Sequence, residues 1–388
     1  MLQTHRTWLL FLVPVVLLSS SPQLAAQTAP DYFPGKFSEW EARQPQQLGF
    51  DPERLSEAVA FARASENQDS RDLEQVIALS FANEPFNSIV GPTRPRGEAN
   101  GLIIRHGYIA AEWGDTTRVD MTFSCTKSYL STVAGLAVDD GLIHDVHDPV
   151  QKYVRDGTFD SEHNAQVTWH HLLNQTSDWS GTLWDKPDWA DRPTGSARSE
   201  WPRRELRTPG THMKYNDVRV NLLAYSLLQV FRRPLPQILN ERVMDPIGAS
   251  PTWRWHGYRN SWVELDGVRM QSVSGGGHWG GGLFICSRDH ARLGYLFLRN
   301  GRWNDQQLIS EDWIRAACTP TDVKPDYGYM WWLNTGRERI PAAPESAFYA
   351  AGFGGNYVCV DPEHDLVVVL RWTPDLPEVM EKILAAMN

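Results

Sequence analysis

Phe123-Ser124-Cys125-Thr126-Lys127-Ser128 opens a segment that runs through Tyr129, Val133, Leu136 and Ala137 to Asp140-Gly141. Apolar residues at that spacing predict a helix over 124–141, ended by the glycine. Ser124 and Lys127 are three residues apart, so a helix carries them on one face. A serine hydroxyl is a poor nucleophile until a neighbouring base takes its proton. An amine is such a base when desolvation or nearby positive charge lowers its pKa. The helix N-terminus adds N–H groups and positive potential suited to a developing oxyanion. Short S-x-x-K patterns recur by chance, so the flanking sequence decides their meaning.

Upstream, Gly101 to Trp113 reads as a hairpin turning at Arg105-His106-Gly107. Asp51-Pro52 opens a helix with Leu55, Val59 and Phe61 at near-helical spacing. Residues 27–50 are polar and Pro-rich, a strap over the surface, and 64–99 fit neither period. Downstream, to about residue 270, helical patches alternate with Trp- and Pro-rich loops, the best helix being Val218 to Phe231. Gly281 to Cys286 reads as a strand and Arg288 to Asn300 as a helix. Tyr329–Leu333, Tyr357–Val360 and Leu366–Trp372 read as strands, and Pro377–Met387 as a closing helix. Strand-rich, helical, then strand-rich again predicts an α/β (α+β) fold. An antiparallel sheet flanked by helices, from 27–123 and 281–388, would hold an inserted, mostly helical domain over 124–280, with a site at the interface.

Residues 1–26 carry Arg6, an apolar run from Trp8 to Leu18 and small residues at Leu24-Ala25-Ala26. That is the layout of a cleaved secretory signal peptide, and it implies a secreted or periplasmic protein with no stable membrane anchor after cleavage. Against 37 Lys+Arg stand 47 Asp+Glu, a net −10, which excludes a generally basic nucleic-acid binder. Four cysteines (Cys125, Cys286, Cys318, Cys359) allow three pairings, and their wide spacing shows no metal motif; buried free thiols are the simplest reading. The 17 tryptophans are an excess. Eight fall between Trp179 and Trp279, where they predict an aromatic-walled cleft for a bulky or apolar acyl group.

The nucleophile segment, with Gly135 to Ile143, resembles that of the β-lactamase-related serine hydrolases: class C β-lactamases, D-alanyl-D-alanine peptidases, esterases and nylon-oligomer hydrolases. The resemblance continues collinearly at Asp148 to Tyr153 and at Val167 to Ser177, where Asp178 stands in place of the usual glycine. It resumes at Gly280-Gly281-Gly282, at Arg288 to Gly294, at Tyr327 to Trp332 and at Gly352-Phe353-Gly354-Gly355, covering most of 98–372. It implies the β-lactamase/transpeptidase-like fold and an acyl-enzyme on Ser124.

The family's Y-x-N motif reads Tyr215-Asn216-Asp217 here, and the resemblance assigns Tyr215 a general acid/base role beside Lys127. Asp217 departs from the pattern. A carboxylate cannot donate to a substrate carbonyl as an amide does. It can pair with Lys127 and keep it charged, which would shift base duty to Tyr215. The K-T-G motif reads Ala350-Ala351-Gly352, without its cation. That absence argues against β-lactam or D-Ala-D-Ala specificity, since the cation helps hold a substrate carboxylate. Backbone N–H groups of Ser124 and Phe353 would form the oxyanion hole. Asp217, His278, Gly352 and Trp184 are the candidate substrate-binding residues. His144-Asp145-Val146-His147-Asp148 is read as a plain loop, and neither a metal nor another cofactor is expected.

The expected activity is therefore that of an exported serine hydrolase on a small-molecule ester, amide or peptide-like substrate, with esterase or amidase favoured over β-lactamase. The alternatives are β-lactamase or D-Ala-D-Ala peptidase activity, or a non-catalytic binding protein that retains the fold.

Overall fold

The computed structural model describes Met1 and residues 31–37, 39–195 and 197–388. The signal segment read at 1–26 lies, beyond Met1, outside the described residues. The expected hairpin forms as strands Asn100–Arg105 and Tyr108–Trp113, turning on His106 (φ 53°) and Gly107 (φ 83°). Two successive positive φ values match the twist of a tight hairpin.

These strands are one edge of a six-stranded antiparallel sheet. From the opposite edge its order is Trp332–Leu333, Phe348–Gly352, Asn356–Asp361, Leu366–Arg371, Asn100–Arg105 and Tyr108–Trp113. Side chains alternate faces along each strand. Ile103, Val368 and Leu370 enter one core with α1 (Pro52–Ala64) and the helix Leu376–Ala385. Leu102, Ile104, Val367 and Val369 enter the other, against the helix Ser287–Leu298. Asp51 caps α1 by accepting from the Glu53 and Arg54 amides at 3.0 Å.

The unread stretch 64–99 holds α2 (Leu73–Ser80), capped by Asp72. The central helix differs at its start from the reading: Phe123–Cys125 is a single 3₁₀ turn, and α3 runs Thr126–Asp139. Thr168 caps the short α4 (Trp169–Leu173), and Asn216 caps α5 (Asp217–Phe231). In the stretch read as helical patches, Arg254–Leu265 and Val268–Val273 instead form an antiparallel hairpin. Asp266-Gly267 supplies its turn, with φ 54° and 73°, a Asp-Gly hairpin signal. This hairpin joins Gly282–Ile285 and Asp120–Met121 in a second, four-stranded sheet directly ahead of the Ser124 turn.

Among the described residues no helix is long and apolar enough to cross a membrane. The four cysteines are unpaired, with Cys125, Cys286 and Cys359 buried.

Candidate active site

The turn carrying Ser124 is braced from beneath. Phe123 sits at φ 48°, an unusual conformation for a bulky residue. Buried Arg371 donates to the carbonyls of Met121 and Ile285 and to Asn356 Oδ1 (2.6–2.9 Å). Asn356 Nδ2 in turn donates to the Phe353 carbonyl at 2.6 Å. One guanidinium thus ties the nucleophile turn to the Phe353 loop. His290 lies between Thr122 Oγ1 (2.6 Å) and Tyr129 OH (2.9 Å), and burial drives its pKa well down, so it is a neutral brace. Gly352 must be a glycine: a Cβ there would lie 2.2 Å from the Thr122 carbonyl oxygen.

Lys127, in the first turn of α3, donates from Nζ to Ser124 Oγ at 2.9 Å. The same ammonium binds Asp217 Oδ1, and both of these side chains are only 2% exposed. Tyr215, two residues before α5, stacks on Trp332 (centroids 5.9 Å, 23°). Lys127 Nζ lies 4.7 Å from its ring centroid. Burial and then Asp217 push the Tyr215 phenol far above its ordinary range, against a hydrogen bond with Ser124 and the charge of Arg192. The expectation that Asp217 pairs with Lys127 holds geometrically. The same carboxylate, with burial, opposes a phenolate at Tyr215.

Ser124, Tyr215, Gly352 and Phe353 line one cavity of about 470 Å³, together with Arg192, Asp326, Trp332, Arg339, Tyr349, Ala351 and Tyr357. Its walls are aromatic, but not as read. Trp179, Trp253, Trp255 and Trp279 are buried in the core, and Trp184 packs edge-on against Tyr225 at 5.6 Å. None of these, Trp184 included, lines the cavity. The tryptophan that does is Trp332, read from sequence as strand packing.

His278 and Asp217 also lie below the cavity rather than in its wall. Asp217 Oδ2 faces His278 Nδ1 and Arg192 at 3.5 Å each, and the Asp217 amide donates to Asp191. His278 Nε2 bonds Glu84 Oε2 at 2.7 Å, and its Nδ1 stands 3.7 Å from Asp191 Oδ1. The carboxylate and imidazole atoms of Glu84, Asp191 and His278 lie within 4.8 Å of one another, a spacing that would suit a cation. Arg192, however, pairs with both Asp191 and Asp217, and Lys127 with Asp217, so the cluster is neutralised from within. Gly276 permits this packing, because a Cβ there would fall 2.1 Å from Asp217 Oδ1 and 2.3 Å from Lys127 Nζ.

Sequence reading missed Glu84, Asp191, Arg192, Asn356 and Arg371, which carry no local motif. Asp178 has φ 41°, which accounts for a glycine being usual there; it binds Arg204 and Arg219.

The beta-lactamase family model matches residues 103–384, and the chain belongs to that family. An uncharacterized protein of Alkalihalophilus pseudofirmus is 24% identical over 63% of this chain and 71% of its own length. The chain is similar in fold to EstCE1, a hydrolase with promiscuous acyltransferase activity (TM-score 0.55, 16% identity, covering 86% of this chain and 98% of that one). It is similarly related to a penicillin-binding protein homologue from Caulobacter crescentus (TM-score 0.54, 15% identity, 87% and 98%).

Proposed function

We propose that the protein is an exported serine hydrolase that cleaves an ester or amide bond through an acyl-enzyme on Ser124. The observation that carries this reading is the Lys127 Nζ–Ser124 Oγ hydrogen bond of 2.9 Å at a cavity that Tyr215, Gly352 and Phe353 also line. Lys127, as the neutral amine, takes the Ser124 proton while Oγ bonds to the substrate carbonyl carbon. The N–H groups of Ser124 and Phe353 receive the oxyanion. Tyr215, kept protonated by its surroundings, gives its proton to the leaving oxygen or nitrogen as that bond breaks, and Lys127 restores it. Water then repeats the sequence on the acyl-enzyme, and the Ser124 oxygen leaves.

The preference for ester or amide over lactam rests on Ala350, which is buried in the sheet opposite Val358 and offers no cation. A second reading, a D-Ala-D-Ala peptide or β-lactam bearing a carboxylate, is favoured by one observation. Arg339 lines the cavity, beside Tyr357, to which it is hydrogen-bonded. A p-nitrophenyl ester, an anilide and nitrocefin, tested on wild type, Ser124→Ala and Arg339→Gln, decide between them. Turnover of ester or anilide that is lost in Ser124→Ala supports the first reading. Efficient nitrocefin turnover that falls in Arg339→Gln selects the second. Export rests on the sequence of residues 1–26, and a mature chain beginning at Gln27 is its test.

A further inference from the structure

Asp217 poses a problem for any mechanism that uses Lys127 as a base. A carboxylate beside an amine favours its charged form, whereas a base must be neutral to accept a proton. We propose that Glu84 and His278 solve it as positioning residues: a cationic His278, fixed by Glu84 and facing the far oxygen of Asp217, draws off that carboxylate's charge and lets Lys127 give up its proton. The inference rests on the acyl-enzyme reading above.

The groups around His278 are these. Glu84, from the segment after α2, holds Nε2 at 2.7 Å. Asp191 faces it from the loop before Pro193 and Asp217 from the start of α5, and Arg192 pairs with both of these carboxylates. Lys127 reaches the cluster from α3 through Asp217. Phe81 and Trp279 cover the imidazole ring, with centroids at 3.8 and 4.4 Å. Lys186 lies beyond Trp279, 5.0 Å from that ring and bound to the Phe86 and Ser88 carbonyls. Tyr258, bonded to Asn221 and Ser274, senses both Asp191 and Asp217.

Three carboxylates thus face three cationic side chains. If Lys127 loses its proton while His278 keeps its own, the cluster carries one surplus negative charge. If His278 is neutral as well, it carries two, in a place where uncompensated charge is costly. Burial alone would lower the His278 pKa, but Asp191, Asp217 and Glu84 together raise it to about 9. His278 Nδ1 stands 3.5 Å from Asp217 Oδ2, at the limit of hydrogen-bonding distance. Glu84 and Phe81 precede the residues matched by the family model, so this part of the cluster is supplied from outside the matched region.

The test is the pH dependence of Ser124 acylation by a fluorophosphonate in wild type, Glu84→Gln and His278→Gln. Glu84→Gln keeps the shape and removes the charge. The acid limb of the acylation rate is expected to move to higher pH by about one unit in His278→Gln, a tenfold loss at the pH of that limb, and by less in Glu84→Gln, which removes a carboxylate along with the charge that carboxylate holds on His278. Near-wild-type rates should return at high pH. A loss of equal size at every pH, or no loss, overturns the proposal. A second measurement stands apart from activity: imidazole ¹⁵N shifts should report His278 as protonated at pH 7 in wild type, and a neutral ring there overturns the proposal. If wild-type Ser124 is not acylated at all but His278 is protonated, it is the acyl-enzyme reading that has failed.

Discussion

Lys127 and Asp217 form a buried ion pair whose ammonium also reaches Ser124 Oγ. Asp217→Asn should therefore release the amine. The acid limb of kcat/KM is expected to move to lower pH. Denaturant unfolding should show a loss of roughly 3–5 kcal/mol, because Arg192 and His278 lose the carboxylate that offsets them. A limb that stays in place would mean that Asp217 does not hold the Lys127 proton.

Gly276 is the space in which that pair sits. A Cβ at 276 would overlap both Asp217 Oδ1 and Lys127 Nζ. Gly276→Ala should lower kcat/KM by about 100-fold, the scale expected when a reacting group is displaced by about 1 Å. Circular dichroism should show an otherwise folded protein.

Phe353 separates side chain from main chain. The residue is 36% exposed, and its proposed contribution is an N–H. Phe353→Ala should change kcat by no more than about threefold, whereas Phe353→Pro, which removes the donor, should cost roughly 10²–10³ in kcat. Equal losses in the two variants would place the oxyanion elsewhere.

His278 also predicts a stability window. Its folded-state pKa is raised to about 9. The stabilisation that its charge provides is fully present below the unfolded value of about 6.5 and is lost as pH rises through the folded one. The difference in melting temperature between wild type and His278→Gln should shrink between about pH 6.5 and 9. A gap that widens over that interval would contradict the charged imidazole.

What sequence could reveal follows from how local each signal is. The Ser124–Lys127 spacing, the hairpin at His106-Gly107 and α5 are written in neighbouring residues, and they appear where expected. The hairpin at Asp266-Gly267 was also written locally, but tryptophans and prolines around it obscured the alternation. The ion cluster was not legible. Glu84, Asp191, Asp217 and His278 come from four separate segments and meet only when α5 and the glycine run at 275–277 close over α3. The tryptophans misled for a related reason. An apolar ring reads the same whether it walls a cleft or fills a core, and only the packing puts Trp332 beside Ser124 while Trp279 is fully buried.

Intact-mass analysis after treatment with a fluorophosphonate probe tests the acyl-enzyme on Ser124 most directly. One probe adduct per chain, absent from Ser124→Ala, together with loss of p-nitrophenyl ester hydrolysis in that variant, is the expected result. A Ser124→Ala protein that still takes up the probe or still turns over the ester would contradict it.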